Sequence, residues 1–260
     1  MATCKHQYGA LRLITVPGLL LVATIAAAAP QDLSGVWVDA TAPAKAGART
    51  PESLFEGPDE FEPPGGEPQL REPYASQYKA LQEKKRRAAA DGKPLADSRT
   101  RCLPLGMPTM MLPLFPIEIV QTRGKVIVLA EELAQIRRIY LNEKAPPLQD
   151  IVPGYSGYSV GRWEGSTLIV ETRGVREDVM FWDMPHSAEM RLLEQLRLLA
   201  PDKLEDRITI DDPEVLAKPY VLTFAYRRDR TYKVSEYVCD NNRYRFDSEG
   251  GASLDTNPAR

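Results

Sequence analysis

The sequence predicts a mainly β protein: a closed antiparallel barrel with one or two helices at its periphery. Three observations carry that expectation. From Ile117 onward apolar residues recur at period 2 in short runs, Gly, Pro and Asp turns separate the runs, and none alternates with a helix as a parallel βα framework requires. Roughly ten such strands carry many unpaired edges, which closure removes while leaving an interior sized for side chains or one small ligand.

Before the barrel comes a leader. Lys5 and Arg12 precede an apolar run over residues 13–25, and Ala26, Ala27, Ala28 and Ala29 stand ahead of Pro30. That run is too short for the roughly 30 Å hydrocarbon core, and a small-residue cleavage pattern follows it, so residues 1–28 read as a signal peptide of a periplasmic or secreted protein. Nothing downstream is long and apolar enough to be a membrane span. Cys4 leaves with the leader, and Cys102 and Cys239 remain, an even number in an oxidising compartment. They are expected to form a disulfide, and closing so long a loop contributes about 4 to 5 kcal/mol.

Residues 29–246 read as one barrel domain. The opening strand holds Gly35, Val36, Trp37 and Val38, and residues 41–73, dense in Pro, Gly, Glu and Asp, form a long loop or lid. Residues 74–90 predict a helix, with Tyr74, Tyr78 and Leu81 at i, i+4, i+7 and Asp91, Gly92 and Pro94 to stop it. Pro104, Pro108 and Pro113 exclude a regular element around Cys102, so Met107, Met110 and Met111 are either a core plug or the rim of an apolar ligand site.

The strand-rich part begins with a hairpin over residues 117–129 that turns at Arg123 and Gly124. A strand over 134–141 puts Ile136, Arg138 and Tyr140 on one face and Arg137 and Ile139 on the other. Residues 157–172 make a second hairpin about Glu164 and Gly165, with Val160, Leu168 and Val170 toward the core. Strands follow over 191–199, 204–210, 220–226 and 232–239. The first of these also satisfies helical spacing through Leu192, Leu193, Leu196 and Leu199, and its neighbours decide for strand. Residues 247–260, polar and Gly-containing, read as a disordered tail.

A set of motifs supports a family resemblance. Cys102, Pro104, Gly106, Met107 and Pro108, then Arg137 to Tyr140, then Gly157 to Gly165 and finally Pro185, His186 and Ser187 follow in fixed order. Together they resemble a large group of functionally obscure exported bacterial proteins. The resemblance implies a lipocalin-like fold, supports the Cys102–Cys239 pairing and carries no settled activity. The chain departs from the group at three places: Tyr158 stands where a His is common, Ser166 where Asp is frequent, and Gln195 where Glu194 is often followed by Arg. Tyr158, ordinarily titrating near 10, suits a proton donor better than a base.

Several constellations are candidate chemistry. Arg162, Trp163 and Glu164, beside Tyr158, bring a guanidinium, an indole and a carboxylate together, and Met107, Met111 and Tyr140 complete the expected ligand lining. Of Arg137 and Arg138 one should point inward and need a carboxylate from Glu118, Glu131, Glu164 or Glu194, either as an ion pair or beside a ligand. His186, the histidine that remains after the leader, is either a satisfied turn residue or a general acid/base oriented by Asp183 or Glu189. Residues 157–161 spell Gly-x-Ser-x-Gly, but more strand follows where a nucleophile elbow needs a helix.

One histidine and two paired cysteines cannot furnish the usual metal ligands, and no phosphate-cradling loop is present, so neither metal nor cofactor is expected. With 33 Lys and Arg against 36 acids and no basic stripe with interleaved aromatics, nucleic acid is not an expected partner. The sequence therefore points to a protein that binds a small hydrophobic or aromatic molecule. Its alternative is a cofactor-independent lyase, isomerase or hydratase in which His186 moves a proton and Arg138 or Tyr158 stabilises developing charge.

Overall fold

A computed structural model describes Met1 and residues 29–41, 63–239 and 244–254. Nearly all of the expected signal peptide, most of the expected lid and residues 255–260 lie outside the described residues. Nine strands close into one barrel: β1 (Gly35–Asp39), β2 (Ile117–Gln121), β3 (Lys125–Ala130), β4 (Gln135–Leu141), β5 (Tyr158–Glu164), β6 (Thr167–Arg173), β7 (Arg191–Ala200), β8 (Lys203–Asp211) and β9 (Tyr220–Asp229). Each strand pairs with the next, and β9 returns to β1 with Trp37 opposite Arg228. Helix α1 (Tyr74–Ala90) lies outside, with none of its residues buried.

The barrel is mixed rather than purely antiparallel. β4 and β5 run parallel, with Ile139 opposite Ser159, Tyr140 opposite Val160 and Leu141 opposite Gly161. Strand direction is set by the connection. Residues 142–157 carry the chain back along the barrel, longer than the dozen or so residues that a parallel pairing requires, and with Pro146, Pro147 and Pro153 among them they form no strand, only a single bridge from Gly154 to Val175. The other seams are antiparallel pairings, among them the β5–β6 hairpin, where Gly165 makes the turn at a φ of 61°.

Period-2 alternation fills the interior. Trp37, Ile119, Val128, Ile139, Val170, Leu192, Ile208 and Leu222 are each at most 1% exposed. Residues 191–200 are strand, as their neighbours implied, because Leu192, Glu194 and Leu196 alternate inward across an antiparallel pairing with β8. Met107 and Met111 are at most 1% exposed and belong to the same core, so this segment is a plug. The Tyr226 hydroxyl donates to the Met111 carbonyl, and the Met107 N–H donates to Tyr155 O at 3.0 Å, which fixes the plug on both sides.

Three expectations need correction. Residues 232–239 form no strand. Pairing of β9 with β1 leaves the barrel no free edge to receive them, and they are tied down instead by side chains: Tyr232 O–H donates to both Glu131 oxygens at 2.8 and 2.9 Å, and Cys239 is paired with Cys102 at a Cα separation of 5.6 Å. The tail is ordered in part, since β10 (Tyr244–Phe246) pairs with β11 (Ala252–Leu254) and the Ala252 N–H donates to Pro94 O at 2.9 Å. Val160 faces outward, because Ser159 and Gly161 take the inward positions of β5. Among the described residues, no helix is long and apolar enough to cross a membrane.

Candidate functional site

The alternation of Arg137 and Arg138 resolves in favour of Arg137 as the inward residue. Its side chain is 1% exposed and reaches from β4 to β5, β6 and β7: Nε donates to Ser159 Oγ at 3.1 Å, one terminal nitrogen to Thr172 Oγ1 at 2.8 Å, and both terminal nitrogens engage Glu194, one of them at 2.8 Å. Glu194, fully buried, is one of the four carboxylates anticipated for that role. Ser159 and Thr172 are bonded to each other at 2.8 Å, which leaves the cluster internally satisfied on that side.

One neighbour is not satisfied. Asp206 on β8 is fully buried, and among the described residues neither of its oxygens has a hydrogen-bond partner. Loss of hydration pushes its carboxyl well above the ordinary carboxylate range, Glu194 pushes it further, and Arg137 offsets only part of this. Tyr226, on β9, lies against the same cluster, and its hydroxyl is raised chiefly by burial and then by Asp206 and Glu194. Asp206, Thr172 and Tyr226 were not singled out from sequence, and Ser159 entered only as the serine of the Gly-x-Ser-x-Gly run. Parity marks Asp206, since Leu204, Asp206, Ile208 and Ile210 alternate inward along β8.

The candidate ligand residues divide between two surfaces. Met107 and Met111 lie in the plug, and Trp163 points inward against the core. Arg138, Tyr140, Tyr158, Arg162 and Glu164 occupy outward positions of β4 and β5, and the parallel seam brings Tyr140 and Tyr158 together. Tyr140 and Tyr158 stack there, with ring centroids 5.3 Å apart and planes inclined by 24°. Arg162 is exposed and paired with Glu164, its Nε to Oε1 distance being 2.9 Å.

Beside the stack lies an open groove of about 440 Å³ lined by Asn142, Glu143, Lys144, Val160, Gly161, Arg162 and Glu171. The chain builds it by leaving β4 sharply. Asn142 adopts a left-handed φ of 59°, which Asn tolerates, and its N–H donates to Gly161 O at 2.8 Å, so Glu143 and Lys144 are held over β5. Neither tyrosine lines the groove, and the two features adjoin through Val160, which lines it and stands opposite Tyr140. The Tyr158 hydroxyl is pushed up from its ordinary value by desolvation first and then by the charge of Glu143 and by Tyr140, and it stays protonated at neutral pH.

His186 sits apart from that seam, in the β6–β7 connection, and is 8% exposed. Nδ1 lies 2.9 Å from Ser187 O, and because a carbonyl only accepts, the proton is on Nδ1. Nε2 is buried without a partner among the described residues, and none of the hydrogen bonds there joins His186 to Tyr158 or Arg138. Ser187 is anchored by Asp212, which accepts from its N–H at 2.7 Å and its hydroxyl at 2.9 Å. Asp183 does not orient the imidazole. It binds α1 instead, accepting from Lys85 at 2.7 and 2.8 Å and from Gln82 at 3.0 Å.

Under α1, Pro63, Pro68, Tyr78, Phe181, Trp182, Met184 and Tyr220 line an aromatic crevice too tight to admit a water molecule. Burial, with the charges of Glu67 and Asp183, raises the Tyr78 hydroxyl to about 12. The described residues contain no group of three or more His, Cys, Asp or Glu placed to hold a metal ion. No family model, curated protein or solved structure matches the chain.

Proposed function

We propose that this is an exported, lipocalin-like binding protein that takes a small aromatic molecule in the groove beside the Tyr140–Tyr158 stack. The observation that carries this reading is the position of the groove next to an outward-facing aromatic pair: Val160, which lines the groove, stands opposite Tyr140 across the β4–β5 pairing. Its volume falls within the roughly 300–1,000 Å³ typical of small-molecule sites. An aromatic ring extends the offset stack on the tyrosines, an arrangement worth about 0.5–1.5 kcal/mol beyond the area it buries. Asn142, Lys144, Arg162, Glu143 and Glu171 supply donors and acceptors of both signs, which favours a ligand with hydrogen-bonding substituents over a plain hydrocarbon. Export is supported by the charged, apolar and Ala-rich order of residues 1–29 and by the Cys102–Cys239 pair.

Titration calorimetry and ligand-observed NMR with phenol, indole and benzoate test the site. At least one probe should bind, and Tyr158→Ala should weaken it about tenfold, the scale of one lost ring contact with its buried area. Affinity unchanged in both Tyr158→Ala and Arg162→Ala would refute the groove as the binding site.

A second reading, a cofactor-independent lyase, isomerase or hydratase, is favoured by one observation: the buried Nε2 of His186 retains a free lone pair on the Nδ1–H tautomer. In that reading Tyr158, held protonated, is a donor rather than a base.

A further inference from the structure

Two carboxyl groups and one guanidinium are enclosed together inside the barrel. Glu194 and Asp206 are both fully buried, and Arg137 is 1% exposed. They project into one interior from three strands. Asp206 lies opposite Leu196 across the β7–β8 pairing, which places it diagonally from Glu194 on the same inward face, and Tyr226 is likewise diagonal to it across β8–β9. Glu194 takes both terminal nitrogens of Arg137, while Ser159 and Thr172 accept from the same guanidinium. Nothing remains for Asp206, whose two oxygens are the unpartnered members of the cluster.

An isolated carboxylate in such a place is too costly to persist, and the group neutralises instead. We propose that the barrel interior is a one-proton site: Arg137 neutralises Glu194, and a proton held at Asp206 neutralises the second carboxylate. The charge count carries this inference, with two acids against one base and all three groups at most 1% exposed. The groups facing Asp206 are Arg137 from β4, Glu194 from β7 and Tyr226 from β9, while Glu205 of its own strand points outward and acts on it through charge alone. Arg137 is the cation among them, and it is already committed to Glu194. Burial and the negative charge of Glu194 act in the same direction, both favouring the neutral acid.

The site joins proton binding to the seam that forms the outer groove. The bond from Arg137 to Ser159 crosses the parallel β4–β5 pairing, which has three residue pairs, and the bond to Thr172 reaches β6. When the proton leaves, a second negative charge competes for Arg137, and the hydroxyl contacts across that seam are the ones drawn away. The sign follows from the folded state binding the proton more tightly than the unfolded chain. Stability is fully present below the ordinary aspartate range near 4, falls as pH rises through the interval up to the raised folded value, and does so by up to tenfold in the folding equilibrium constant per pH unit.

Infrared spectroscopy of the full mature chain in deuterated buffer at neutral pH tests the site, read as the carbonyl stretch of a protonated carboxylic acid. The band should be present in the parent, vanish in Asp206→Asn and persist in Glu205→Gln. Denaturant titrations across the pH range should show a loss of stability with rising pH in the parent that Asp206→Asn lacks. If Asp206→Asn does not fold, ¹³C carboxyl shifts of the parent decide alone. One aspartate carboxyl should then remain in its protonated position at neutral pH. All carboxyls titrating in the ordinary acidic range, an infrared band that survives Asp206→Asn, or parallel pH profiles for parent and variant would each overturn the proposal.

Discussion

Arg137→Met isolates the energetics of the barrel interior. Methionine replaces the aliphatic stem and much of the volume of arginine but none of its donors. Glu194, with no exposure to solvent, loses both guanidinium contacts, and Asp206 loses the cation that offsets part of its burial. Ser159 and Thr172 keep their mutual hydrogen bond, so the penalty is concentrated on the carboxylates. Breaking a buried pair by removing one partner costs about 3–5 kcal/mol, because it leaves an uncompensated charge. At roughly 2–4 °C per kcal/mol for a domain of this size, the thermal midpoint should fall by roughly 6–20 °C. Urea unfolding followed by tryptophan fluorescence measures the loss directly. Adding Glu194→Leu removes the stranded charge, and most of the stability should return, since well-packed apolar replacements of buried pairs are often neutral or better. A loss below about 1 kcal/mol in Arg137→Met, or a double variant no more stable than the single one, would refute this account of the cluster.

Two further outcomes follow from the geometry. Replacing Cys102 and Cys239 together by Ala should destabilise the chain by about 2–5 kcal/mol in urea unfolding, because the bridge closes a separation of 137 residues and anchors the segment that follows β9 to the plug loop; unchanged stability would mean that the bridge is absent. His186→Gln should lower stability by about 1–3 kcal/mol through loss of the Nδ1–H contact to the buried Ser187 carbonyl, and leave groove affinity intact. A His186→Gln variant of parental stability that converts a turned-over probe about 10²-fold more slowly would instead restore the enzymatic reading.

Side-chain parity was legible in the sequence, and strand direction was not. Alternation marks most of β2 to β9 because each strand buries one face, and the same parity puts Arg137 and Arg138 on opposite faces; it misleads in β5, where the β-branched Val160 is outward and the small Ser159 and Gly161 are inward. Period 2 is blind to whether neighbouring strands run together or opposed, so the parallel β4–β5 seam is encoded only in the length and proline content of residues 142–157. Residues 232–239 alternate as a strand does, yet a strand also needs an edge, and closure by β1 had already occupied it. Ala252–Leu254 is too short to display any period. Asp206 and Thr172 sit at inward parity in runs that read as apolar, and a polar residue at such a position is the signal that marks the interior cluster.

Where the barrel can hold a ligand follows from what already fills it. The plug residues Met107 and Met111, the indole of Trp37 and the Arg137 cluster occupy the interior, and emptying it would expose a buried ion pair as well as apolar surface. The outer wall is different. In an antiparallel barrel each hairpin returns beside its own strand and the wall stays smooth, whereas the β4–β5 connection must travel the length of the barrel and leaves the wall before it does so. Asn142 starts that departure, and Glu143 and Lys144 overhang β5 with Val160, Arg162 and Glu171 beneath them. The concavity is thus a consequence of the parallel seam, and the tyrosines that flank it stand on the two strands of that seam, which is why the groove and the aromatic stack occur at the same place.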